Sequence, residues 1–256
     1  MDLVIDIGNS TIKFGLFSTR TLLSVFEINT NNGLKLEDFS SLFHKNIYEK
    51  NYKSREITRA ICSSVVPEMN FLIKAVIRQY FDIETWFLQS DILSDIKINC
   101  KPEKNVGADR IAAATGAASI MPGKNLIVVD MGTVTAIDAV IAGKEFAGGT
   151  IIPGLSLSAQ ALASGTAKLP SIKIERPAKV YGTTTGEAIL SGIYYGQAGA
   201  IKEICRMFQK EIFNKKKSYI IATGGIANLF EGTELFDVFI PELVLIGLQK
   251  ILEQNI

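Results

Sequence analysis

Two stretches of this chain repeat one grammar almost half its length apart. Residues 4–17 read VIDIGNSTIKFGLF, and residues 128–140 read VVDMGTVTAIDAV. Each has an apolar lead-in, Asp-x-Gly, a small polar residue, one further residue, a Thr, and then mostly apolar residues. Apolar runs on both sides of a Gly-containing polar turn predict two strands joined tightly. An Asp in a run that otherwise reads as buried strand is costly unless something uses it. The repeat therefore predicts an α/β architecture in duplicate, with a central cleft between its halves.

Composition narrows what such a cleft holds. The chain has 256 residues, 47% of them hydrophobic, which is enough for two filled cores. Lys and Arg number 27 against 26 Asp and Glu, and that balance argues against a nucleic-acid binder. The one tight basic run, NKKKS at 214–218, reads as a helix end and a solvated loop. The opening MDLVIDIGNS lacks the positive region of a signal peptide. No apolar run reaches the length of a membrane span, so a cytoplasmic protein is expected. Three widely spaced cysteines (Cys62, Cys100 and Cys205) suggest a reducing compartment and no zinc site. His44 is the single histidine, which makes Ser-His-Asp catalysis improbable. Any chemistry must run on carboxylates, hydroxyls, backbone amides and cations.

Periodicity predicts strands at 2–7, 11–17 and 22–28, a helix near 36–46, and a strand at 59–66. A helix should start at Pro67, since proline suits a first turn. A strand at 84–89 and a small-residue helix through 105–120 complete the first half. The second half repeats the pattern, with three strands across 125–152 and helices near 153–164 and 184–213. A strand at 218–223, Gly-Gly, a short helix, a strand at 237–240 and a last helix at 242–254 follow. The expected domains are 1–114 and 115–256.

Turns of Gly and short polar residues aim donors at one point and favour phosphate. Gly8 and Gly132 let a phosphate approach the main chain, while Asn9, Ser10, Thr11, Thr133 and Thr135 add donors. Lys13 places a positive charge within reach of a terminal phosphate, or is merely an edge-strand solvated lysine. Asp6 and Asp130 end their strands and are expected to face each other across the cleft. Paired carboxylates repel unless a cation intervenes, and their hard oxygens suit Mg²⁺ or K⁺.

At these residues the chain resembles the superfamily of actin, sugar kinases and Hsp70, with duplicated ribonuclease H-like domains. Within it, the chain is most similar to type III pantothenate kinases. DIGNSTIKFGLF (6–17), SSVVP (63–67), VGADRI (106–111), VVDMGTVTAID (128–138), GGTIIPGL (148–155), GTTTGEAILSGI (182–193) and TGG (223–225) carry the resemblance, in the family's order. It implies transfer of the ATP γ-phosphoryl group to the 4′-hydroxyl of pantothenate, the first step of coenzyme A biosynthesis. It also implies Mg²⁺, a monovalent cation (K⁺ or NH₄⁺), and a homodimer. By motif, ATP falls to Asp6, Ile7, Gly8, Asn9, Ser10, Thr11, Ile12, Lys13 and Thr133. Pantothenate falls to Gly107, Ala108, Asp109, Arg110 and Thr185, the last reaching into a neighbouring subunit. Asp130 takes the monovalent cation, Asp6 is a candidate for Mg²⁺, and Asp109 is the proton acceptor.

The residues themselves allow alternatives. Asp109 also reads as a helix-start carboxylate favoured by the helix dipole. Arg110 is a candidate grip for the substrate carboxylate, or a structural ion pair. Cys100 stands where many members have a substrate-side Tyr, and reads otherwise as a small packing residue. Ala136 replaces a hydroxyl of the family pattern. TGGIANLF at 223–230 belongs to the nucleotide side or simply turns a strand into a helix. Pro153 and the small residues after it suit close helix packing, and the resemblance implies that they and helix 184–213 form the dimer interface. A nucleotide-binding regulatory protein and a kinase for a sugar or acetate are the competing functions.

Overall fold

The computed structural model describes residues 1–30, 33, 35–49, 56–89, 94–102 and 106–255. The chain forms two compact units, Met1–Ile120 with Leu243–Ile256, and Met121–Glu242.

The first unit begins with a meander of β1 (Asp2–Ile7), β2 (Thr11–Ser18) and β3 (Thr21–Asn29). Then come α1 (Leu36–Glu49), β4 (Arg59–Ser64), α2 (Pro67–Phe81), β5 (Thr85–Phe87), the two-residue β6 (Lys97–Ile98) and α3 (Ala108–Ile120). The sheet order is β3-β2-β1-β4-β5, with β1 antiparallel to β2 and parallel to β4. Strand alternation sorts β1 cleanly into two faces. Leu3, Ile5 and Ile7 join Ile12, Phe14 and Leu16 of β2 in a core closed by Phe39 and Phe43 of α1 and Ile73 and Ile77 of α2. Phe14 and Phe26 stack at 4.7 Å within it. Asp2 and Asp6, at even positions, are left on the opposite face.

The second unit repeats this order. Its elements are β7 (Asn125–Met131), β8 (Val134–Ile141), β9 (Glu145–Pro153), α4 (Leu155–Gly165), α5 (Thr185–Glu211), β10 (Ser218–Thr223), a 3₁₀ turn at Ala227–Phe230 and β11 (Val238–Phe239). They pair as β9-β8-β7-β10-β11, with β7 antiparallel to β8 and parallel to β10. Ile127, Val129 and Met131 of β7 pack with Tyr194, Ile201 and Cys205 of α5. α5 starts from a capping box: Thr184 accepts from the Glu187 N–H, and the Glu187 carboxylate accepts from the Thr184 N–H.

The final helix α6 (Leu243–Asn255) corrects the expected domain division. It belongs with the first unit, as does all of α3, so the boundary lies after Ile120 and the chain returns at Leu243. The reason is on the polar face of β1. The Gln249 amide donates to Asp2 Oδ2 at 2.8 Å and to the Thr19 carbonyl at 2.6 Å. Gly15 on β2 leaves room for Leu245, whose Cδ1 would lie 3.0 Å from an added Cβ. Among the described residues, no helix is long and apolar enough to cross a membrane.

Asp2 is buried and held by both prongs of Arg59, at 2.8 Å (Nε) and 2.6 Å (Nη2). Burial pushes the Asp2 pKa up, but the hydrogen bonds from Arg59 and Gln249 and the Arg59 charge outweigh it, so the net shift is downward. Removing the cation leaves a buried carboxylate uncompensated. Arg59→Ala is expected to lower unfolding stability by about 3 kcal/mol at neutral pH, measured by urea titration, with Asp2→Asn in the same chain restoring part of it.

Candidate functional site

Asp6 sits one residue before the end of β1, and the register sets its neighbours. Ser63 of β4 lies opposite it on one side and Lys13 of β2 on the other, with Glu27 of β3 beyond Lys13. The four form one polar row across the sheet. The Ser63 hydroxyl donates to the Asp6 carboxylate, and Lys13 Nζ lies 3.3 Å from Glu27. Lys13 is therefore interior to the sheet and paired, not a solvated edge lysine. Burial raises the Asp6 pKa from 3.8 to about 6; the Ser63 hydrogen bond opposes this, the Asp109 charge adds to it, and Lys13 opposes it. The structure thus brings Asp109 within electrostatic reach of Asp6.

The turn after Asp6 is clamped from several directions. The Gly8 N–H closes it on the Thr11 carbonyl at 3.0 Å, and Thr30 Oγ1 donates to the Gly8 carbonyl at 2.7 Å. The Gly8 amide is thus committed to the turn, and the exposed Asn9 and Ser10 form its rim. Ile7 and Ile12 bury their side chains in the core, so only their backbones remain at the turn.

Asp109 lies on the first turn of α3, where its carboxylate accepts from the Arg110 N–H at 2.8 Å. That bond is the helix-start role the sequence allowed. Burial nevertheless raises the Asp109 pKa, against the opposing hydrogen bond and charge of Arg110. A raised pKa makes the carboxylate a better proton acceptor. Gly107 makes room for it: a Cβ there would lie 2.5 Å from Asp109 Oδ1.

In the second unit Asp130 is again the penultimate residue of its central strand, opposite Thr223 of β10. The Gly132 N–H closes the next turn on the Val134 carbonyl at 2.9 Å. This turn is one residue shorter than its counterpart, since Met131 pairs with Thr135 while Ile7 pairs with Ile12. Thr135 therefore does not join the turn. It is buried and accepts from the Gln197 amide at 2.8 Å. Thr133 stays at the turn, half-buried.

Two glycines that the sequence did not assign to this turn close around it. Gly154 donates to the Thr133 carbonyl at 3.1 Å, and a Cβ on it would lie 2.4 Å from the Gly132 carbonyl. Gly224 has φ +90°, and its Cβ would meet Met131 O at 2.5 Å and Asp130 Oδ1 at 2.6 Å. TGG thus turns the strand and packs against Asp130 in the same stroke. Gly132 differs: its Cβ would meet no protein atom closer than 3.8 Å. Ser63 was also missed, although parallel pairing of 59–64 with 2–7 was its available signal.

Thr185 opens α5 and is exposed, while its neighbour Thr184 is committed to the cap. Cys100 is a half-buried free thiol, and Ala108 and Arg110 are half-buried. Among the described residues, no group of three or more His, Cys, Asp or Glu side chains forms a metal cage. One carboxylate such as Asp6 still suits Mg²⁺, which usually binds through one or two carboxylates, its own waters and substrate phosphates.

A family model described as type III pantothenate kinase matches residues 2–207. A type III pantothenate kinase of Legionella pneumophila (strain Corby) is 40% identical over 251 residues, covering 97% of each chain. One from Elusimicrobium minutum is 36% identical over 256 residues, covering 100% of this chain and 99% of the other. Among solved structures, the activator of 2-hydroxyisocaproyl-CoA dehydratase from Clostridium difficile, with bound ADPNP, superposes with a TM-score of 0.54. It is 10% identical and covers 99% of this chain and 95% of its own, a likeness of fold.

The raised Asp6 pKa has a stability consequence. The folded chain binds more protons than the unfolded one between about pH 4 and 6, so stability falls as pH rises through that window and the cost is complete above it. Ligand-free Asp6→Asn is expected to be more stable than the parent by ~2 kcal/mol at pH 8 and nearly equal at pH 4, read by urea unfolding at both.

Proposed function

The chain belongs to the type III pantothenate kinase family, and from that premise we propose that it transfers the γ-phosphoryl group of ATP to the 4′-hydroxyl of pantothenate, the first step of coenzyme A biosynthesis. The observation that carries the reading is the placement of Asp109 and Asp6 in one unit, close enough for the Asp109 charge to act on Asp6. Phosphoryl transfer asks for positioning and charge neutralisation more than covalent chemistry. A carboxylate for the acceptor proton beside a phosphate-binding turn meets that demand.

In this mechanism the pantothenate hydroxyl oxygen attacks the γ-phosphorus. The bond from that phosphorus to the β–γ bridging oxygen breaks, leaving ADP. The hydroxyl proton passes to the Asp109 carboxylate, whose basicity burial has raised. Asn9, Ser10 and Thr11 hold the ATP phosphates, Lys13 supplies positive charge beside Asp6, and Thr133 adds an ATP contact. Gly107 to Arg110 hold pantothenate, with Arg110 on its carboxylate. Mg²⁺ on Asp6, when bound, supplies charge neutralisation for the phosphates. Asp130 holds the monovalent cation. The matched strand orders support ribonuclease H-like domains in duplicate. Exposed Val180 and Tyr181 ahead of α5 support a homodimer in which Thr185 serves a neighbour's site. The workplace is cytoplasmic.

Gly132 supports the phosphate reading separately, because neither its φ nor its packing requires glycine. Gly132→Ala is expected to melt within a few degrees of the parent, and to weaken ATP binding about tenfold or more by blocking approach to the main chain. Calorimetric melting and ATP titration check the two halves.

The direct test is ADP release by the purified protein with ATP, Mg²⁺ and pantothenate, in K⁺ or in Na⁺. Pantothenate-dependent release that needs K⁺, and that falls at least ~10²-fold in Asp109→Asn, is expected. ATP binding without turnover in either cation would replace the kinase with a nucleotide-binding regulatory protein.

A further inference from the structure

The last helix of the chain touches the helix that carries Asp109, backbone against backbone. α3 reads ADRIAAATGAASI, and its Ala112, Ala113, Ala114 and Ala117 are buried. α6 crosses it at Gly247. A Cβ on Gly247 would lie 1.7 Å from the Ala112 carbonyl oxygen and 2.8 Å from the Gly116 nitrogen. Those two atoms are the acceptor and donor positions of one i to i+4 helix bond. The contact is mutual: a Cβ on Gly116 would lie 2.3 Å from the Leu243 carbonyl oxygen and 3.1 Å from the Gly247 nitrogen. Neither neighbour is a side-chain end that swings aside. A methyl at either position forces the helices apart or breaks the bond.

Ala112 stands three residues after Asp109, about 4.5 Å along the helix axis. The distance between α3 and α6 at Gly247 is therefore set less than one turn from the carboxylate. α6 is itself fixed on the sheet by Gln249, through Asp2 and Thr19. A continuous chain of contacts thus runs from β1 through α6 to the start of α3.

We propose that Gly247, with Gly116, is a positioning residue for phosphoryl transfer: the C-terminal helix sets the height of α3 and hence the place of the Asp109 carboxylate. The inference rests on Asp109 as the proton acceptor. Moving a catalytic group by about 1 Å costs up to a hundredfold in rate, whereas the turn formed by Asn9, Ser10 and Thr11 lies on other elements. Gly247→Ala therefore acts on turnover while ATP binding holds.

The experiment is a double-mutant cycle of Gly247→Ala with Asp109→Asn in the full chain, reading kcat, ATP affinity and melting temperature. Phe43→Leu, in the core between α1 and α2, serves as a control for lost stability. The expected result is a kcat loss of ~10- to 100-fold in Gly247→Ala, ATP affinity within twofold of the parent, and little further loss from Gly247→Ala once Asp109 is Asn. Phe43→Leu should lose melting temperature and keep kcat. If Gly247→Ala does not fold, Gly116→Ala carries the same comparison from the other helix. Equal fractional losses in both Asp109 backgrounds, or an unchanged kcat, would overturn the positioning role. A parent-like kcat in Asp109→Asn alone would sink the base assignment, and the proposal with it.

Discussion

The first unit depends on a strand hydrogen-bonded on both sides whose two faces have opposite characters. β1 gives Leu3, Ile5 and Ile7 to the core and leaves Asp2 and Asp6 on the other face. A two-residue period fixes this division, because a slip of one position would turn the acids into the aliphatic core and carry the aliphatics out of it. The two acids then meet different fates. Asp2 receives a guanidinium and an amide, and its charge is held. Asp6 is desolvated by burial, which one hydroxyl and Lys13 only partly offset and Asp109 reinforces, and its charge is disfavoured. The strand thus carries an anchor at one end and an unsettled carboxylate at the other, and the latter is where a cation or a phosphate site has something to gain.

The second unit keeps the plan and alters its execution. Strand order, directions and the penultimate Asp all repeat. Its turn is one residue shorter, which carries Thr135 from the rim into a buried hydrogen bond with Gln197. Gly154 and Gly224 close on the turn so tightly that neither admits a side chain. A turn braced in this way holds a fixed geometry.

Much of this was legible from local sequence. Periodicity located β1 and β2 to within a residue and placed three strands across 125–152, Pro67 marked the start of α2, and the repeated Asp-x-Gly pointed to the repeated strand order. What escaped reading was non-local. Nothing in residues 243–255 says that their helix joins the unit from which they are most distant in sequence, because glycine contacts and the Gln249 bonds exist only after folding. Ser63 has no assigned role in the sequence, and only parallel pairing sets it beside Asp6. The two hairpins matched in letters, yet only strand register revealed the missing residue in the second. Gly224 was seen as a turn, while its approach to Asp130 needs the positive φ and the neighbouring strand together.

The chemistry is tied to α6, since the helix that carries Asp109 takes its height from it. The phosphoryl acceptor in this family is pantothenate. Phosphorus NMR of the protein with ATP, Mg²⁺, K⁺ and pantothenate decides this directly. The ATP γ signal is expected to be replaced by a phosphomonoester on pantothenate, in step with the appearance of ADP. Inorganic phosphate as the sole new signal, or intact ATP bound without reaction, would contradict it.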